Sequence, residues 1–119
     1  MKCETLEVWK ISLRLSGDVY KSLSHCKDFG FRDQITRSGL SIPSNIAEGM
    51  ERKSTKERIN FLNIARGSAA ELITQAYIGI DINYINEEKG KEWIQTGEQI
   101  LGMLRKLQET LNAQEPKAQ

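Results

Sequence analysis

The segment from Glu51 to Arg58 carries four cations, Arg52, Lys53, Lys56 and Arg58. Placed just before and within a helix N-terminus, such residues suit phosphate contact. Free N–H groups and the positive end of the helix dipole favour an anion there. Glu51 and Glu57 are interspersed, which is also the pattern of an ordinary solvated loop. Arg14, Lys21, Arg32 and Arg37 are scattered, and they join such a surface only if folding gathers them. A second set is a polar row. Gln34, Ser38, Ser41, Asn45 and Glu48 recur at helical spacing, with Arg37 beside them. Beyond the next turn, Asn63, Arg66 and Glu71 are candidates to meet that row. The row could line a binding cavity. We read it instead as a hydrogen-bond network that fixes register or a subunit interface.

Other chemistries lack their residues. Cys3 and Cys26 are the two cysteines and His25 is the lone histidine. About 23 residues of helix would hold the cysteines roughly 34 Å apart, and a disulfide needs Cα atoms within about 7 Å. Free thiols and a reducing compartment are expected. His25 and Cys26 are adjacent, so on a helix they diverge by about 100° and make no dyad. A di-metal carboxylate bundle requires Glu-x-x-His pairs, yet Glu71 is followed at that spacing by Thr74 and Glu48 by Glu51. No Gly-rich phosphate loop, nucleophile elbow or zinc pattern occurs. The expectation is a non-enzymatic protein without metal or cofactor.

Four helices must position these residues. In the first, Leu6, Trp9, Leu13, Ser16, Tyr20 and Leu23 form a heptad-like stripe. A second row, Val8, Ile11, Leu15, Val19 and Cys26, widens it. Lys27-Asp28-Phe29-Gly30 is expected to end this helix, with Gly30 as a left-handed cap. The second helix runs from about Phe31 to Met50 on Phe31, Ile35, Gly39, Ile42 and Ile46. Pro43 predicts a kink, or a break with Ser41 capping a second short helix. Ser54 and Glu57 match a capping box that starts the third helix, which is expected to reach Ile85. The fourth opens near Asn86, with Glu87 and Glu88 suiting its positive end. Its stripe is Trp93, Gly97, Ile100 or Leu101, Leu104, Leu107 and Leu111.

Short loops between long helices imply an all-α, up-down-up-down antiparallel four-helix bundle. One domain is expected over residues 1–114, with 115–119 as a frayed tail. The first and third helices carry more than one apolar row. The surplus predicts a second buried surface, hence a homo-oligomer. The 119 residues hold 17 Lys+Arg against 16 Asp+Glu, a net charge of +1, which excludes an indiscriminate polycation. Hydrophobic residues make up 39%, too many for a disordered tail. No apolar run approaches the roughly 18 residues that span a bilayer, and Met1-Lys2-Cys3-Glu4 lacks a signal peptide's apolar core.

Several strings carry a family resemblance. They are Leu6-Glu7-Val8-Trp9, Gln34-x-x-Arg37, Ser41-Ile42-Pro43-Ser44-Asn45-Ile46-Ala47-Glu48-Gly49 with Arg52 following, Phe61-Leu62-x-Ile64-Ala65-Arg66-Gly67-Ser68, and Glu71-Leu72. Together they resemble the bacterial four-helix-bundle family first found as open reading frames in intervening sequences of 23S ribosomal RNA genes. Ser38 stands where alanine is usual, and His25-Cys26-Lys27-Asp28 replaces a common Pro-containing stretch. The resemblance implies a ring-shaped homopentamer and a cytoplasmic location. It also implies kinship with the accessory protein of diversity-generating retroelements, a pentameric barrel that binds nucleic acid and reverse transcriptase. It implies no enzymatic activity. The expected function is binding of RNA or DNA through basic surfaces displayed on the oligomer. The alternative is a scaffold for a protein partner.

Overall fold

Asp28, Ser54 and Asn86 each accept a hydrogen bond from a backbone N–H three residues on, at 3.1, 3.1 and 3.2 Å. Those three caps start three of the helices. The computed structural model describes residues 1–115. A short 3-10 turn, Lys2–Thr5, leads into α1 (Glu7–Ser22), α2 (Phe29–Met50), α3 (Thr55–Asp81) and α4 (Glu87–Gln114). No strand occurs among the described residues. Apart from Glu115, the expected tail lies outside the described residues.

Each helix packs on its neighbours in a closed square. α1 lies on α2 and α4, α3 lies on α2 and α4, and the backbones of the diagonal pairs stay more than 8 Å apart between Cα atoms among the described residues. Gly90 abuts Ile80 and Gly97 abuts Ile73, so α4 runs antiparallel to α3. Leu72 meets Gly39 and Phe61 meets Gly49, so α2 and α3 are antiparallel as well. The bundle is a rod of 56 × 22 × 21 Å. Its core holds Ile35, Ile42 and Ile46 of α2, Leu62 and Leu72 of α3, and Trp93, Ile100 and Leu104 of α4.

The structure corrects four local expectations. First, α1 ends at Ser22, well before Gly30. Gly30 lies inside α2 and has no left-handed backbone, because the Asp28 side chain starts the next helix early. Second, of the kink or break expected at Pro43 the break does not occur, since α2 runs continuously from Phe29 to Met50. Ser41 caps nothing, and its hydroxyl is held by side chains described below. Third, α3 stops at Asp81 rather than Ile85. Asn83 turns the chain with φ 63°, a conformation that asparagine tolerates better than most residues. Fourth, the core of α1 draws chiefly on the second row, and of the first stripe only Leu23 is fully buried. Val8, Leu15, Val19 and Leu23 are buried with Ser12, while Leu13 and Tyr20 of the first stripe are exposed. Ser12 fits the core because its hydroxyl donates to the Trp9 carbonyl at 2.8 Å.

Both cysteines are free. Cys3 is fully buried under the 3-10 turn, and desolvation pushes its thiol above its ordinary range. Cys26 is half-buried in the α1–α2 loop. An alkylating reagent added to the native chain should therefore modify Cys26 and spare Cys3 until the chain unfolds. Mass spectrometry of native and denatured samples checks this. Equal native labelling would show that the N-terminal turn opens readily.

Candidate nucleic-acid interface

Four cations meet at the α2–α3 turn because that turn is tight. The Glu51 amide bonds back to the Ala47 and Glu48 carbonyls, and the Arg52 amide to Gly49 at 3.1 Å. Gly49 lets the helices close on each other. A Cβ there would lie 2.9 Å from the Phe61 Cβ and 3.2 Å from the Arg58 carbonyl oxygen. Arg52 pairs with Glu48 one turn back, and its guanidinium sits 4.7 Å from the centre of the Phe61 ring. Arg58 donates from Nε to the Arg52 carbonyl at 2.7 Å. Two of the four cations thus brace the turn itself. Lys53 and Lys56 are exposed and make no ion pair among the described residues.

The remaining sequence-predicted cations are not gathered here. Arg37 lies about 22 Å and Arg32 about 30 Å back along α2 from Arg52. Arg37 is exposed. Arg32 stacks on Phe29 at 4.7 Å and lies 3.8 Å from Asp33. Arg14 is on α1, 3.6 Å from Glu7. Carboxylates gather at the far end of the rod, where Asp81 closes α3 and Glu87, Glu88 and Glu92 open α4, near Asp28 and Asp33 of α2.

The polar row divides into two networks. On the α2–α3 seam, Asn45 Nδ2 donates to the Ser41 carbonyl and hydroxyl at 2.8 and 2.9 Å. Ser68 of α3 donates to the same hydroxyl at 2.7 Å. Asn63 and Arg66 do not meet Asn45 or Glu48 as expected; they turn to α4. Arg66 Nη1 donates to Gln108 Oε1 at 3.0 Å. Gln108 Nε2 donates to Asn63 Oδ1 at 2.8 Å and to the Ile59 carbonyl at 3.2 Å. Gln34 and Glu71 are exposed and belong to neither network. Gln108 is buried and was missed, although it sits one turn after Leu104 on the apolar stripe. A lone amide on such a stripe is the signal that could have found it.

At the acidic end, Trp93 Nε1 donates to Asp18 Oδ2 at 2.7 Å, and Lys89 Nζ lies 3.3 Å from the same oxygen. The hydrogen bond it donates to Asp18 holds the Lys89 ammonium above its usual range. Tyr84 donates to Asp28 Oδ2 at 3.0 Å, and that bond raises its phenol likewise. Leu23, Ile85 and Trp93 floor an open hollow of about 500 Å³ beside these groups.

The whole-chain comparison agrees with this architecture. A crystal structure of a protein of unknown function from the S23 ribosomal protein family of Bacteroides thetaiotaomicron superposes with a TM-score of 0.80. The two are 31% identical over 86% of this chain and 98% of that one. No curated protein matches the chain. The family model described as 23S rRNA-intervening sequence protein matches residues 4–106, a span that takes in the capped α2–α3 turn, the Ser41–Asn45–Ser68 network and most of α4 but stops short of Gln108. The chain, whose described residues form four α-helices and no strand, therefore belongs to the 23S rRNA-intervening sequence protein family.

Proposed function

We propose that the chain is a non-enzymatic, cytoplasmic homo-oligomer, a ring-shaped pentamer, that binds RNA or DNA through its α2–α3 turns. The observation that carries this reading is the pair Lys53 and Lys56. Both are exposed and free of ion pairs among the described residues, at the opposite end of the rod from the carboxylates of early α4. One chain offers a weak site. A ring repeats it on one rim, and phosphate contacts add through counterion release. Arg52 and Arg58 support the turn more than they offer free charge. Arg14, Arg32 and Arg37 are at most peripheral contacts. The resemblance to the retroelement accessory protein supports the same reading.

A protein-binding scaffold is the second reading. It is favoured by Glu48, Glu51 and Glu57, which interleave with the cations. Binding to a structured RNA, titrated against salt, separates the two. The first reading expects affinity to fall steeply with salt, with a slope of about −0.7 to −0.9 per phosphate contact in a log–log plot. Lys53→Gln with Lys56→Gln should flatten that slope and weaken binding at low salt. Absent or salt-independent binding in the unaltered chain would sink the nucleic-acid reading and leave the scaffold.

A further inference from the structure

We propose that the outward rows of α1 and α3 are the two halves of one head-to-tail contact between copies of this chain. The inference rests on the self-association reading above and names its surfaces. On α1 the row is Leu13, Gly17 and Tyr20, spaced four and three apart; on α3 it is Ile64, Glu71 and Ile78, spaced by heptads. Leu13 is 43%, Tyr20 63%, Ile64 50% and Ile78 47% exposed. Neither row is needed for the core of one chain. α1 and α3 are diagonal in the square, so their rows open on different sides of the rod.

Each row also holds a glycine that the isolated chain does not require. A Cβ on Gly17, or on Gly67 beside Ile64, would meet nothing within 4 Å. Mid-helix glycine weakens a helix relative to alanine, and a neighbour's close approach would offset that loss.

Charge selects a second copy as the occupant. Between Ile59 and Ile80, α3 carries only Arg66 and Glu71. Arg66 is engaged by Gln108. Glu71 is exposed and has no ion pair among the described residues. The α1 row is flanked by exposed Lys21, which makes no ion pair among the described residues, and by Arg14, whose exposed pair with Glu7 at 3.6 Å is open to exchange. Heights along the rod also match. A Cβ on Gly39 would lie 3.5 Å from the Ser16 Cα and 3.6 Å from Leu72 Cδ1, so Ser16 and Leu72 are level. A copy set side by side in parallel therefore brings Glu71 opposite the gap between Arg14 and Lys21.

The same geometry favours closure. Ser68, one turn after Ile64, bonds Ser41 of α2, and Tyr20 shares a hollow with Arg32 and Thr36 of α2. Both rows lean toward α2, so they are not diametrically opposed. A repeated contact of that kind turns always to the same side, as a closed ring needs.

Two exposed substitutions test the pairing, Leu13→Glu and Ile64→Glu, with circular dichroism confirming that each remains folded. Sedimentation equilibrium should show an assembled unaltered chain and two monomeric variants. Their equimolar mixture should form a two-chain species and nothing larger. Leu13→Glu retains an intact α3 row and Ile64→Glu an intact α1 row, so one sound contact forms and then stops. A variant that assembles by itself overturns the proposal. So does a mixture that stays monomeric at concentrations well above those at which the unaltered chain assembles. If the unaltered chain is itself monomeric, the ring reading falls too; if it assembles and the variants do likewise, only this pairing falls.

Discussion

Replacing Trp93 with alanine should destabilise the chain by about 3–5 kcal/mol. The indole is 1% exposed and is the largest fully buried side chain. Its removal leaves a cavity where α4 faces α1, because neither helix can move inward past the residues above and below it. Trp93 Nε1 also supplies one of the two groups that hold Asp18; the other is Lys89. Trp93→Phe separates the two contributions. It preserves much of the apolar contact but loses the N–H donor to a carboxylate, so it should cost about 1.5–3 kcal/mol, including a packing term for the smaller ring. Urea unfolding monitored by circular dichroism measures both variants. A midpoint for Trp93→Ala close to that of the unaltered chain would mean that α1 and α4 do not depend on this contact.

The second large effect is expected at Gln108. Its side chain accepts from Arg66 and donates to Asn63 and the Ile59 carbonyl. Leucine fills the space but answers none of these groups. The half-buried guanidinium would lose its acceptor, and a bond to a charged donor contributes about 1.5–3 kcal/mol. A loss of roughly 2–3 kcal/mol follows for Gln108→Leu. Adding Arg66→Met should recover much of that loss, since replacing both partners with apolar groups is nearly neutral. Equilibrium unfolding of the two single variants and the double variant forms the test. Strictly additive losses would show that Arg66 and Gln108 do not act as a pair.

Caps and stripes were the legible part of this sequence. Ser54 and Asn86 mark the starts of α3 and α4 by local hydrogen bonding, which a short window of residues contains. The buried row of α4 is likewise periodic and uninterrupted by charge. The partners of Arg66 were not legible. Asn63 and Arg66 lie on the flank of α3 toward α4, and which flank faces which helix depends on the sense of the whole bundle. No local spacing carries that information. α1 illustrates a second limit. Its two rows are equally apolar, and only the placement of α2 and α4 decides that Leu15 is inside and Leu13 outside. Pro43 shows a third. Proline removes one backbone bond, but Ile42 and Ile46 bury on either side of it, and tertiary packing outweighs the local loss.

Lys53 and Lys56 lie toward one end of the 56 Å rod and Glu88 toward the other, all three without ion pairs among the described residues. A charge separation thus runs along the nearly neutral chain, although Glu51 and Glu57 offset the lysines and Lys89 and Lys91 pair with Glu92 and Glu87. A dipole feels torque before it feels contact. Copies aligned in parallel would add their moments, and such an assembly would turn its lysine-bearing rim toward a polyanion once within about a Debye length of it. Such orientation acts on the rate of productive encounter more than on the strength of the final complex. At physiological ionic strength the field reaches only about 8 Å beyond the surface, so the guidance operates in the last step of approach.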